Sequence, residues 1–123
     1  MSNVTIKGGP ALAQERKLVT SIPGPKSQEL LARKNSAVAA GVGVALPIFT
    51  VAAGNGVMID ADGNSLIDLG SGIAVTGVGN SSPRVVKAVQ DQAELFTHTC
   101  FTVTPYEGHV AVAETLNEPT PRD

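Results

Sequence analysis

Ile48-Phe49-Thr50-Val51-Ala52-Ala53-Gly54-Asn55-Gly56-Val57-Met58-Ile59-Asp60-Ala61-Asp62-Gly63-Asn64-Ser65-Leu66-Ile67-Asp68-Leu69 carries the strongest structural signal in the chain. Residues 48–53, 57–60 and 65–69 are short runs of strand-forming side chains. Between them lie Gly54-Asn55-Gly56 and Asp62-Gly63-Asn64, whose residues tolerate positive φ and so suit tight turns. Three short strands joined by two such turns predict an antiparallel meander. The Asp60-Ala61-Asp62-Gly63-Asn64 segment resembles the start of a calcium loop, but no glutamate closes it at the twelfth position, so it reads as a hairpin turn.

Working back from the meander, residues 1–24 read as an irregular arm, broken by Gly8-Gly9-Pro10 and Pro23-Gly24-Pro25. A helix is expected over 25–40. Proline suits its first turn, Ser27 offers an alternative cap, Leu30, Leu31, Lys34 and Val38 recur at helical spacing, and Gly41 provides a stop. Working forward, a glycine-rich loop fills 70–80. Ser82 and Pro83 then open a helix to about 96, with Val86, Val89, Ala93 and Phe96 on one face and Arg84, Lys87, Asp91 and Glu94 on the other. Residues 97–103 read as extended. Thr104 and Glu107 have the spacing of a capping box for a last helix ending near 117. That helix is apolar or small almost all round, which predicts burial on most sides.

The chain has 123 residues, one domain's worth, and a formal net charge of −2. So balanced a charge offers no field for nucleic acid or an anionic membrane. Residues 35–59 carry no charge, a length that raises the question of a membrane span. Pro47, Gly41, Gly43, Gly54 and Gly56 interrupt that stretch, so buried strands suit it better. The lone Cys100 has no partner for an internal disulfide and fits a reducing, cytoplasmic setting. Three Phe, one Tyr and no Trp leave the core to aliphatic side chains.

The residues give few direct chemical signals. The loop Gly70-Ser71-Gly72-Ile73-Ala74-Val75-Thr76-Gly77-Val78-Gly79 lacks the third glycine of a dinucleotide fingerprint and the Lys-Ser or Lys-Thr of a P-loop. It reads instead as a connection needing small residues for close backbone approach. His98, Cys100 and His109 are too few and too irregularly spaced to predict a metal site. Cys100 reads as a small packed thiol, because nothing in the sequence brings a base beside it.

The order of these pieces identifies a relationship. Pro23-Gly24-Pro25, the helix, Leu46-Pro47-Ile48-Phe49 and then residues 60–75 resemble the N-terminal region of class III aminotransferases. Gly79-Asn80-Ser81-Ser82-Pro83-Arg84-Val85-Val86 is similar to a Gly-His-x-x-Pro-x-Val stretch of that family, with Asn80 in place of the more usual histidine. Thr97-His98-Thr99-Cys100-Phe101 with Pro105-Tyr106-Glu107 resembles the actinobacterial branch acting on 4-aminobutyrate. The resemblance spans residues 18–120.

It implies an α/β, fold-type I, aspartate-aminotransferase-like enzyme dependent on pyridoxal phosphate. In that frame 1–24 is an arm, 25–80 the N-terminal part of the small domain, and 81–123 a helical lead into a large domain. The resemblance places Ile73 against the substrate and Cys100, Phe101 and Thr102 in the substrate pocket near a homodimer interface. It implies 4-aminobutyrate and 2-oxoglutarate as substrates, with ornithine, acetylornithine or lysine as alternative donors. The loop holding the cofactor phosphate and the Schiff-base lysine are expected beyond Asp123, and Lys7, Lys17, Lys26, Lys34 and Lys87 match none of the family's functional positions. The stretch alone is thus expected to be inactive. A rival expectation is a truncated chain serving as an interaction module for a complete aminotransferase.

Overall fold

The computed structural model describes residues 8–119. Two compact units divide them, one running up to Lys87 and the other starting at Ala88.

The first unit is built on the meander. Strands β1 (Thr50–Gly54), β2 (Val57–Asp60) and β3 (Ser65–Ile67) form one antiparallel sheet in that order. β1 starts two residues later than its composition suggests, and a bulge between Thr50 and Ala52 breaks its register against β2. β3 stops at Ile67 rather than 69, although Asp68 N–H still donates to Gly56 O (2.9 Å), the residue opposite it in the β2–β3 register. Of the first turn's residues only Asn55 takes positive φ (+50°); in the second turn Gly63 does (+90°).

The predicted helix forms as α1 (Pro25–Ala37) and ends three residues early, with Val38 already extended. Its cap was not legible locally. Gly24 and Ser27 provide none: Ser27 is fully buried, and the orphan amides of Lys26 and Ser27 donate instead to the two carboxylate oxygens of Asp62 (2.7 and 2.9 Å). The β2–β3 turn thereby caps a helix 35 residues away in sequence. Gly24 must be glycine, since a Cβ there would run into the Asp62 side chain.

The arm is irregular but tied to the sheet. Lys17 and Ser65 exchange two backbone hydrogen bonds (2.9 and 2.7 Å), which covers the open edge of β3. Gly9 N–H donates to Ala53 O (2.8 Å) at the β1 side. Gln14 donates to Gly54 O (3.2 Å) and accepts from Gly56 N–H (3.3 Å).

Polar groups hold this unit's centre. Val57 is the one buried hydrophobic among the described residues, whereas Asp60 and Asn64 are fully buried. Asp60 Oδ1 accepts from the amides of Asp62 and Asn64 (3.0 and 2.8 Å), and Oδ2 accepts from Asn64 Nδ2 (2.8 Å). Asn64 Oδ1 accepts from Val19 and Thr20 N–H (2.8 and 3.0 Å), and its Nδ2 also donates to Thr20 Oγ1 (2.9 Å). A buried carboxylate is tolerated because its oxygens are satisfied.

Helix α3 (Pro83–Leu95) begins where Pro83 predicts and contains no buried residue. In the second unit, residues 97–103 form no strand, and 101–103 make a turn closed where Val103 and Thr104 N–H both donate to Cys100 O (2.9 Å each). The capping box is absent, since the last helix, α4 (Glu107–Asn117), starts from Tyr106 with no side-chain cap. The expected burial of α4 is not met within this chain, for Val110, Val112 and Leu116 are all exposed. Among the described residues no helix is long and apolar enough to cross a membrane.

Candidate functional site

In the first unit the glycine-rich loop contains a tight turn. Residues Ser71–Ala74 form a single turn, here α2, in which Ser71, Gly72, Ile73 and Ala74 all take positive φ (+47°, +61°, +63° and +62°). It is a left-handed turn, closed by Ala74 N–H to Gly70 O (3.1 Å) and Val75 N–H to Ser71 O (2.8 Å). Each non-glycine residue in this region costs on the order of 1–2 kcal/mol, and a β-branched residue is an outlier there. Ile73 pays that strain while standing 94% exposed. Strained backbone beneath a projecting apolar side chain is the pattern of a surface shaped for contact rather than for folding.

Two anchors hold the loop. At its entry Asp68 Oδ1 accepts from Gly70 and Ser71 N–H (3.0 and 2.8 Å). At its exit Asn80 exchanges two backbone hydrogen bonds with Asn55 (2.9 Å each). The anchors meet where Asn80 Nδ2 donates to Asp68 Oδ2 (3.3 Å). The expectation that the loop's glycines serve close backbone approach holds only at Gly79. A Cβ there would lie 3.1 Å from Asn55 Cα, whereas one at Gly77 would meet open space.

In the second unit, Cys100, Phe101 and Thr102 fall on the turn before α4. Cys100 is exposed, and its Sγ lies 3.2 Å from Thr102 Oγ1. That hydroxyl, with the Thr102 and Val103 amides, outweighs the smaller effect of desolvation and holds the thiol below its ordinary pKa. Phe101 is half-buried and belongs to an aromatic cluster. Its ring lies 4.2 Å from that of His109 and meets Tyr106 edge-on at 5.5 Å, while Phe96 meets Tyr106 at 5.7 Å. The cluster gathers most of the chain's few rings and sets the Cys100–Thr102 turn on α4. Ile73 lies in one unit and Cys100, Phe101 and Thr102 in the other.

Asp68 escaped the sequence reading because acidic residues at turns usually mark nothing more than the turn, and Asn80 stood out there only as a replacement for histidine. The available signal was an aspartate two residues before Gly70-Ser71-Gly72, the spacing at which a carboxylate caps the following amides.

Pyridoxal phosphate finds no fit in the described residues. Lys17, Lys26 and Lys87 are exposed and Lys34 lies in the last turn of α1, whereas a Schiff-base lysine needs a desolvated position. A shallow cleft of about 260 Å³ on α4 is lined by Ala111, Val112, Thr115 and Leu116 and offers no cation to a phosphate. Among the described residues no group of three or more His, Cys, Asp or Glu side chains is placed to hold a metal. Among the described residues the loop holds an exposed apolar side chain, Ile73, between the Asp68 and Asn80 anchors.

Comparison with known proteins identifies the family. A sequence model described as aminotransferase class-III matches residues 37–123. A 4-aminobutyrate aminotransferase of Mycobacterium tuberculosis is 66% identical over 111 residues, covering 90% of this chain and 25% of that protein. The Mycobacterium leprae 4-aminobutyrate aminotransferase is 63% identical over the same share of each. A 5-aminovalerate aminotransferase of Pseudomonas putida is 43% identical over 97 residues, 79% of this chain and 23% of that protein. The chain therefore spans about a quarter of the length of the curated relatives it matches. With the family model covering most of its residues, the chain belongs to the class-III aminotransferase family.

Proposed function

We propose that this stretch is the pocket-wall portion of a pyridoxal-phosphate-dependent aminotransferase. The complete protein moves the amino group of 4-aminobutyrate to 2-oxoglutarate, giving succinate semialdehyde and glutamate. The observation that carries this reading is the 66% identity, over 90% of the chain, to a mycobacterial 4-aminobutyrate aminotransferase. Ile73 supplies an apolar wall for the donor's methylene chain, and Cys100, Phe101 and Thr102 supply a second lining segment close to a homodimer interface. In this reading the stretch is the N-terminal part of the small domain and the approach to the large domain of a fold-type I enzyme, working in the cytoplasm.

The described residues contain no fitting lysine or phosphate cradle, so no chemical step is assigned to them. Their work is to shape the space in which the donor sits and to exclude water from it. The 123-residue chain by itself is inactive.

The test is an assay of glutamate formation from 4-aminobutyrate and 2-oxoglutarate. The complete protein produces glutamate and the purified 123-residue chain does not. Turnover by the short chain would overturn the assignment of the chemistry to other parts of the protein. A second reading keeps the reaction and lengthens the donor, favoured by the 43% identity to a 5-aminovalerate aminotransferase. Comparing kcat/KM for 4-aminobutyrate and 5-aminovalerate separates the two.

A further inference from the structure

We propose that Asp68 and Asn80 are positioning residues that fix the left-handed turn presenting Ile73, and so set how tightly the donor is held without taking part in the chemistry. Three non-glycine residues in a row-of-four left-handed turn would relax to ordinary backbone if nothing opposed them. What opposes them on the loop's own side is the Asp68 carboxylate, which captures the amides of Gly70 and Ser71 with one oxygen. Ser71 is the first residue of the turn, so the capture fixes the φ at which the turn begins.

The other oxygen takes Asn80 Nδ2 and so ties the loop's exit to its entry. Both anchors tie to the β1–β2 turn. Asp68 N–H donates to Gly56 O (2.9 Å), and Asn80 pairs through its backbone with Asn55. Gly79 sits so close to this turn that an added Cβ would lie 3.1 Å from Asn55 Cα. The loop between the anchors is free of such ties, and Ile73, Val75 and Val78 are each more than 70% exposed on it. Ile73 is therefore located by two side chains that need not touch the donor.

The inference rests on the reading of Ile73 as a donor wall, and the experiment separates the two. The complete aminotransferase carrying this stretch is prepared as wild type, Asp68→Ala, Asp68→Asn and Asn80→Ala. Donor kinetics, bound-cofactor absorbance and amide hydrogen exchange at Gly70 and Ser71 are measured on the same preparations. Asp68→Ala is expected to speed exchange at both amides about tenfold and raise KM for 4-aminobutyrate about tenfold, with kcat within about threefold and cofactor content unchanged. Asp68→Asn keeps an acceptor for the two amides and is expected to stay within about threefold of wild type on both readouts. Asn80→Ala falls between, because its backbone ties to Asn55 remain.

The proposal is overturned if Asp68→Ala leaves exchange and KM unchanged, if it lowers kcat or cofactor content in step with KM, or if Asp68→Asn is as damaging as alanine. A wild-type protein that transaminates no ω-amine would sink the functional reading instead, and the exchange comparison would still decide whether Asp68 holds the turn.

Discussion

Replacing Asn64 should damage this protein more than replacing any of its large aliphatic side chains. Asn64→Ala deletes a fully buried side chain and strands all of its partners at once. Asp60 Oδ2, also fully buried, loses its donor at 2.8 Å. The amides of Val19 and Thr20 lose their acceptor at 2.8 and 3.0 Å. A hydrogen bond to a buried charged group is worth about 1.5–3 kcal/mol, and each of the two amide bonds, on partly exposed backbone, about 0.5–1.5 kcal/mol. The expected loss is about 2.5–6 kcal/mol, a large share of the roughly 5–15 kcal/mol that stabilises an ordinary domain.

The assay is urea unfolding followed by circular dichroism, with hydrogen exchange reporting the Val19 and Thr20 amides. Asn64→Asp adds a test of mechanism. It keeps an acceptor for the two arm amides but faces the Asp60 carboxylate with a second one at donor–acceptor distance. At pH 7 the two carboxylates cannot both stay ionised at that separation, so the variant is expected to be strongly destabilised. The introduced proton site has a raised folded pKa, so stability returns as pH falls through it and one proton bridges the pair. An Asn64→Ala variant within about 1 kcal/mol of wild type, or an Asn64→Asp variant with no recovery between pH 7 and about 5, would refute the account of this network.

Three further outcomes are expected. Thr102→Val should slow alkylation of Cys100 by iodoacetamide at pH 7 and move the midpoint of the rate–pH profile upward, because it removes the hydroxyl that holds the thiol's pKa down. Burial raises the Asp62 carboxyl, but hydrogen-bond donors at Ser27 and Lys26 together with the Lys26 charge hold it below its ordinary value. Its stabilising contribution is therefore fully present above the unfolded pKa of about 3.9 and is lost as pH falls through the lower folded one. Asp62→Asn should remove that acid-side slope in a stability–pH series and raise exchange at the Lys26 and Ser27 amides. Gly54→Ala should unseat the arm, since its Cβ would fall on the Gly9 carbonyl, and limited proteolysis should then cut within residues 8–20 faster than in wild type.

Much of the meander was legible because its signals are local. The Asn55 and Gly63 turns set positive φ where a tight reversal needs it, and Val57–Asp60 forms as its composition suggests. Contacts across long stretches were not legible. Nothing near Ser27 indicates that its helix is capped from Asp62, and nothing near Lys17 announces a pairing with Ser65. The Thr104 and Glu107 spacing suggested a cap that the Cys100 turn displaces, since Thr104 spends its amide on Cys100 O. At the candidate site the loop was visible as glycine-rich, but its handedness was not. The positive φ of Ser71, Ile73 and Ala74 follows from Asp68 reaching forward to two amides, a choice among many that an aspartate before glycines could make.

The ties between arm and sheet set a timetable for the protein's birth on the ribosome. The amide of Val19 waits for the side chain of a residue 45 positions later, and Lys17 waits equally for Ser65. At a synthesis rate of about 5–20 residues per second, that delay lasts roughly 2–10 s. Gly9 and Gln14 can already reach Ala53 and the Gly54–Gly56 turn, but residues 17–20 of the arm still lack their partners. That part of the arm can lock only after the third strand has emerged, so pauses in translation shortly before residue 65 would prolong its exposure to chaperones and proteases.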